Sequence, residues 1–351
     1  MIVAGAQVKD ELADPPAVRP HAVLVTRRWG ASSGEGAAAG RLFMGAVSLR
    51  ADVSVVSLDD EVASLRYDGL FAVHPVKARS AADKIFELDP DLVVLSGAES
   101  FWLATALPDG LARSRVVALG TGGPGDVTGV RSLGEPARCL DAIVVFSAGE
   151  AERMGRALGE DRVHHVHLAL PVNRGAAAAG MAGMTTFGHY VLVLSGFPQD
   201  DPVSGSCPPH EYLRQVLGGV SIAEVRHGRW LVTGQDRSHD VVWAPNRMNL
   251  WRLMAGADVT LDLRPPGPVG RECIESLLFG TPVVVPAHSA AAEHALAANA
   301  GLWYGEPGEM VDALRRLIED ADLGRAMSAA GRSWAEGVHG DGAAFVESAL
   351  D

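Results

Sequence analysis

Short apolar runs of strand length alternate with stretches of helical periodicity along most of the chain. In the first half, Ala22 to Thr26, Val53 to Ser57, Asp91 to Leu95, Ser114 to Leu119, Ala142 to Ser147 and Val163 to Leu168 are predicted strands. Helices are expected from Ala37 to about Leu49 and from near Ala148-Gly149-Glu150. The pattern restarts with strands over Tyr190 to Leu194, Trp230 to Thr233, Val241 to Trp243 and Val259 to Leu263. Helices are expected over His210 to Leu217, Leu250 to Ala255 and from Glu309 onward. Uninterrupted apolar strands are what a sheet covered on both faces requires. The order therefore predicts an α/β protein made of two doubly wound, Rossmann-like parallel sheets. Ligands of such sheets sit at the carboxyl ends of the strands.

The densest signal runs from Gly270 to Pro286. Cys273, Ile274, Leu277 and Leu278 follow helical spacing, Gly280 stops the helix, and Pro282 opens the all-apolar strand Val283 to Val285. Glu275 then lies about one turn into a helix preceded by Gly267-Pro268-Val269-Gly270. Free amides and a positive dipole end at such a helix start favour a phosphate. Glu272 is three residues from Glu275, so both carboxylates share one helical face.

Composition narrows the classes. A chain of 351 residues exceeds the usual size of one core, so two domains of roughly 150 residues are expected. Between residues 173 and 188 small residues replace the amphipathic pattern, and the interdomain linker is placed there. Residues 1–20 read as an acidic, flexible lead-in. A formal net charge of −13, with no Lys/Arg stripe, argues against a nucleic-acid partner. No apolar run approaches the ~20 residues needed to span a bilayer. The three cysteines, Cys139, Cys207 and Cys273, are widely spaced, which fits a reducing cytoplasm. His165 and His167 would share a strand face, but no further ligands follow at a metal-binding interval, so no metal site is expected. No Gly-x-Ser-x-Gly elbow follows a strand, which leaves a nucleophilic triad unsupported. Trp230, Trp251 and Trp303 lie in or beside apolar periodic runs and are expected in packing.

These residues together resemble the GT-B glycosyltransferases, in particular the retaining family 4 group. The likeness is carried by Glu275 through the Gly-Thr-Pro-Val-Val turn, by Met254 to Val259, and by Asp141 to Glu152, and it spans about Val23 to Trp334. It implies a first domain over 21–172 that holds the acceptor and a second over 189–330 that holds a nucleotide-sugar donor. The two would face an interdomain cleft, with a C-terminal helix in 331–351 returning to the first domain. It further implies that Glu275 accepts hydrogen bonds from the donor's ribose hydroxyls, and that amides near Gly270 meet phosphate and sugar. Gly34, Glu35 and Gly36 would form the loop that closes over phosphate or acceptor, Gly196 and Phe197 would lie in the donor turn, and the turn carrying Arg247 would read the nucleobase. The implied protein is a metal-independent hexosyltransferase, expected in the cytoplasm from its cysteine usage and in a bacterium from its high Ala, Gly and Arg content. It would need no cofactor beyond its nucleotide diphosphate sugar, and its acceptor would be a small molecule, a lipid or a glycan.

Departures from that pattern fall at its chemical centre. The position eight residues before Glu275, where the family carries a first Glu, is Gly267. The turn Ser195 to Asp201 lacks the family's Arg and Lys, and Ser96 to Glu99 lacks its His. A departing diphosphate develops negative charge, and removing one preorganised donor commonly costs ~2.7 to 4 kcal/mol of barrier. Arg271 is the nearest replacement; Arg264, Arg247 and Arg28 are further options. Glu272 either serves the sugar hydroxyls or faces solvent. Two readings therefore stand: an active transferase, or a transfer-deficient nucleotide-sugar-binding or partner subunit. An epimerase is a weaker third, because the adjacent Glu-Glu of those enzymes is not present.

Overall fold

The computed structural model describes residues 19–27, 29, 35–58, 66–68, 71–97, 100–107, 111, 113–120, 136–168, 170, 172, 189–195, 209–218, 220–226, 229–233, 241–243, 247–264 and 269–339. The readings made above for residues 1–18, Arg28, Gly34, the linker 173–188, Gly196, Phe197, Asp201, Gly267 and the segment after 339 lie outside these residues.

The first sheet contains β1 (His21–Thr26), β2 (Asp52–Ser57), β3 (Arg66–Asp68), β4 (Phe71–Pro75), β5 (Leu92–Ser96), β6 (Arg115–Leu119), β7 (Ala142–Val145) and β8 (Val163–His165). Their order is β3-β4-β2-β1-β5-β6-β7-β8. Helices α1 (Glu35–Val47), α2 (Ala81–Leu88), α3 (Leu103–Ala106) and α4 (Ala148–Leu158) connect them. The second sheet contains β9 (Tyr190–Ser195), β10 (Ser221–Arg226), β11 (Arg229–Thr233), β12 (Val241–Trp243), β13 (Val259–Asp262), β14 (Val283–Pro286) and β15 (Gly301–Tyr304), ordered β12-β11-β10-β9-β13-β14-β15. Its helices are α5 (Pro209–Leu217), α6 (Arg247–Gly256), α7 (Arg271–Phe279), α8 (Ala290–Ala297), α9 (Pro307–Glu319) and α10 (Ala321–His339).

Side-chain alternation explains why helices cover both faces. Along β1, Ala22 and Leu24 pack with Phe43, Met44 and Val47 of α1, whereas Val23 and Val25 join Ala81 and Ile85 of α2 on the other side. The second sheet repeats this division: Val191 and Val193 meet Leu314 and Leu317 of α9, and Leu192 and Leu194 meet Leu253 and Met254 of α6. The cluster under α1 is continuous with α7, α8 and α10 through Val166, Leu168 and Leu170. One apolar seam thus joins the two halves.

Each sheet departs from the all-parallel expectation at one edge. β3 runs antiparallel to β4, and β10, β11 and β12 form an antiparallel meander. Only two residues separate β3 from β4 and β10 from β11, and a link that short closes a hairpin and nothing else. β10 escapes the apolar-run criterion because Glu224 interrupts it; that carboxylate is buried and accepts a 2.6 Å hydrogen bond from Ser195 Oγ. The region 321–339 is one continuous helix. Among the described residues no helix is long and apolar enough to cross a membrane.

Candidate donor site

Helix α7 is buried from Glu272 to Phe279. It starts after Gly270 at φ +60° and ends at Gly280 at φ +75°, both in the left-handed region that favours glycine. The amides of Gly280 and Thr281 return to the carbonyls of Leu277 and Ser276 at 2.8 and 2.9 Å. Helix α10 completes that end, since Arg332 Nη2 donates to Phe279 O at 2.9 Å and Ser328 Oγ donates to Gly280 O. Inside, Ser276 Oγ donates to Thr260 Oγ1 of β13 at 2.8 Å, and Thr281 Oγ1 donates to Met254 O of α6 at 2.5 Å. These bonds hold α7 rigidly against the sheet, so its first turn is presented beside the carboxyl end of β13.

There the chain gathers six charged side chains. Glu275 is fully buried, and its Oε1 accepts from Arg247 Nε and from Arg271 Nε, both at 2.9 Å. Its Oε2 lies 2.7 Å from Arg247 Nη2. Glu272, 8% exposed, accepts from Arg247 Nη1 at 2.9 Å and pairs with Arg264 Nη1 at 3.0 Å. Arg264 also grips Asp262 at the end of β13 with two parallel bonds, 2.8 and 2.7 Å. Asp262 is itself fixed by its backbone, whose carbonyl accepts from Tyr304 OH at 2.8 Å. Three guanidiniums thus face three carboxylates in a bonded chain, Asp262–Arg264–Glu272–Arg247–Glu275–Arg271.

The electrostatics follow from burial and pairing. Desolvation alone would raise the Glu272 carboxyl, but Arg264 and Arg247 outweigh it and hold the group well below the usual carboxylate range. For Arg247 desolvation acts first to lower its pKa, and Glu275 and Glu272 reverse that, leaving the guanidinium firmly charged. Neighbouring Cys273 is buried, which pushes its thiol up and makes it an inert packing residue.

Of the residues expected at the donor, Arg247, Gly270, Arg271, Glu272 and Glu275 come together here. Glu272 is not the solvent-facing residue that was one of its two readings. Arg247 does not lie in a connecting turn: it opens α6, three residues before the expected helix start, and thereby reaches Glu272 and Glu275. Asn246 in the sequence is a residue type favoured just before a helix. Glu35 and Gly36 belong to the first turn of α1 and not to the loop before it. The Ala-rich run Ala37 to Ala39 extends the helix. Trp251 is packed as expected, but Trp303 on β15 is 50% exposed. Asp262 was missed altogether, although a carboxylate closing an apolar strand of an α/β sheet is a ligand-side signal. Among the described residues no group of three or more His, Cys, Asp or Glu is arranged to hold a metal ion.

A scan against protein-family models and a search of curated proteins each return no match. Among solved structures the chain is similar to Anabaena Alr3699/HepE in complex with UDP and glucose, at 13% identity and TM-score 0.70, covering 94% of this chain and 98% of that one. It is similar to a sucrose-phosphate synthase from Thermosynechococcus elongatus at 14% identity and TM-score 0.68, covering 95% and 98%. It also matches an α,α-trehalose-phosphate synthase (UDP-forming) from Burkholderia vietnamiensis at 12% identity and TM-score 0.65, covering 94% and 98%. The superpositions run over nearly the whole of both chains and include both sheets, so the chain has the GT-B fold.

Proposed function

We propose that this protein is a glycosyltransferase that moves a sugar from a nucleoside diphosphate sugar to an acceptor held by the first domain, with retention of configuration and without a metal ion. The observation that carries the reading is the pair Glu275 and Glu272, buried at the start of α7 among Arg247, Arg264 and Arg271. In a GT-B fold this helix start is where the free amides and the dipole favour a diphosphate. Glu275 accepts a ribose diol by exchanging guanidinium hydrogen bonds for hydroxyls, since its Oε1 takes Arg247 Nε and Arg271 Nε and its Oε2 lies 2.7 Å from Arg247 Nη2. The arginines stand in for the bases absent from the turn after β9. The neighbours' complexes with UDP and glucose make UDP-glucose the first donor to try.

One observation favours the transfer-deficient alternative: every guanidinium in the cluster already faces a carboxylate, so a diphosphate must compete for positive charge. Calorimetric titration with UDP, UDP-glucose, GDP- and dTDP-sugars, followed by an assay for donor hydrolysis, separates the readings. A UDP-sugar dissociation constant below about 1 mM, equivalent to roughly −4 kcal/mol, is expected. No binding by any nucleotide would sink both readings, whereas binding without turnover would select the partner-subunit reading.

Arg271 supplies a sharper test of charge compensation. Its Nε is bound to Glu275, and its two Nη groups have no hydrogen-bond partner among the described residues. Arg271→Ala is expected to weaken UDP-sugar affinity at least tenfold, about 1.4 kcal/mol, with little loss of stability because Arg247 still neutralises Glu275. A loss below about 1 kcal/mol would reduce Arg271 to a structural ion-pair partner.

A further inference from the structure

Four histidines meet where the two halves of the molecule touch. His165 closes β8 and His167 follows it, from the first domain; His294 comes from α8 and His339 from the last position of α10. Ring centroids lie 4.6 Å apart for His165 and His167, 5.4 Å for His167 and His339, and 5.6 Å for His294 and His339. Trp334 closes the group, 5.7 Å from His294 and 5.0 Å from His339. His294 and His339 are 4% and 1% exposed, whereas His165 and His167 open to solvent. Beside them, His339 O accepts from the amide of Leu170 at 3.2 Å, and Glu293 Oε1 accepts from the amide of Gly149 at the start of α4, at 3.1 Å. Both of these bonds join one domain to the other.

Carbonyl partners fix which ring nitrogens carry protons. His294 Nε2 lies 2.8 Å from Val269 O and His339 Nδ1 lies 2.9 Å from Leu168 O; since a carbonyl only accepts, each of those nitrogens is the N–H. The other nitrogen of His339, Nε2, is buried without a hydrogen-bond partner. A second proton there would place a charge and an unsatisfied donor in an apolar seam.

We propose that His165, His167, His294 and His339 form an acid-sensitive clasp between the two domains, closed while the rings are neutral and opened when the buried pair takes up protons. The other histidines of the cluster oppose protonation of His294 and His339, while the Val269 carbonyl on His294 and the Leu168 carbonyl on His339 favour it. The carboxylate next to His294 in sequence, Glu293, is committed to the Gly149 amide. The face of α7 in this seam offers Cys273, Ile274 and Leu277, and α10 adds Ala335; among the described residues no carboxylate is one of the groups acting on either ring. Burial, followed by the neighbouring His339, holds His294 down at about 3 against the Val269 carbonyl; burial also holds His339 down at about 4, with the Leu168 carbonyl acting against it.

A ring whose closed-state pKa lies below its free value of ~6.5 binds more protons when released, so closure is at full strength above that value and weakens as pH falls through it. Between pH 7.5 and 5.0 each buried ring is expected to cost about 30-fold in the closing equilibrium, and the pair on the order of 1,000-fold.

Amide hydrogen exchange on the full chain tests this, with Leu170 as reporter and Val94 of β5 and Leu261 of β13 as internal references. After correction for intrinsic exchange, Leu170 protection should fall at least 30-fold from pH 7.5 to 5.0 while both references hold. In the variant His294→Gln, His339→Asn, the side-chain amides reproduce the two N–H donors but cannot titrate, so the loss should vanish. Leu170 protection independent of pH, references that fall in step with Leu170, or an undiminished loss in a folded variant would each overturn the clasp. Should the double variant not fold, the comparison of Leu170 with its references in the wild type decides alone. None of these readouts depends on nucleotide binding.

Discussion

Glu275→Ala is expected to abolish measurable binding of UDP-sugars and to destabilise the second domain by about 3 kcal/mol. The two effects have separate causes. Binding fails because the carboxylate that would accept the ribose hydroxyls is gone. Stability falls because Arg247 and Arg271 lose the oxygens they bond at 2.9 Å, and removing one partner of a buried ion pair leaves uncompensated charge. Urea unfolding followed by circular dichroism measures the second effect, and calorimetry the first. Removing Arg247 as well, as Glu275→Leu with Arg247→Met, should recover about 2 kcal/mol through the coupling between the two sites while leaving binding absent. Unchanged affinity in Glu275→Ala would show that the ribose position has been misplaced, and unchanged stability would show that the ion pairs contribute nothing to the fold.

Most of the architecture could be read from apolar periodicity because both sheets are buried on both faces. Strands such as Val283–Pro286 carry no polar interruption, and the helix from Arg271 announces both its ends with glycine. Elements stabilised by their partners were not legible. β10 contains the buried Glu224, which accepts from Ser195, 29 residues earlier in the sequence, and β4 ends in Pro75. At the site, the motif located Glu275 and its neighbours, but the bonded chain could not be seen. Glu272 reads as a surface residue by type. Only the register of β13 and the early start of α6 bring Arg264 and Arg247 to it. Likewise His165 and His167 invited a metal reading, while His294 and His339, far away in sequence, turn that strand end into an interdomain contact.

Gly270→Ala should be the most damaging single-methyl change in the donor site. At φ +60° any side chain costs on the order of 1 kcal/mol. The larger effect is steric: a Cβ there would stand 2.7 Å from the Ala291 amide nitrogen, 2.9 Å from its Cα and 3.1 Å from the Ala290 carbonyl carbon. All three atoms are backbone at the start of α8, whose Ser289 cap locks that turn by accepting from the Ala292 amide at 3.0 Å. No side-chain rotation relieves the contact, so α7 and α8 must separate and open a gap among Cys273, Ile274, Ala291 and Ala295. A loss above about 4 kcal/mol is expected, within the range reserved for overpacking and core disruption. Gly280→Ala provides the control, because its φ is also positive, yet the atoms a Cβ would meet are the guanidinium of Arg332, at the end of a flexible chain. That variant should lose only about 1 to 2 kcal/mol. Urea midpoints for the two variants give the comparison, and equal losses would show that backbone conformation alone sets the cost. If Gly270→Ala still folds, its displaced α7 amides should weaken UDP binding more than tenfold, whereas Gly280→Ala, at the opposite end of the same helix, should leave affinity unchanged.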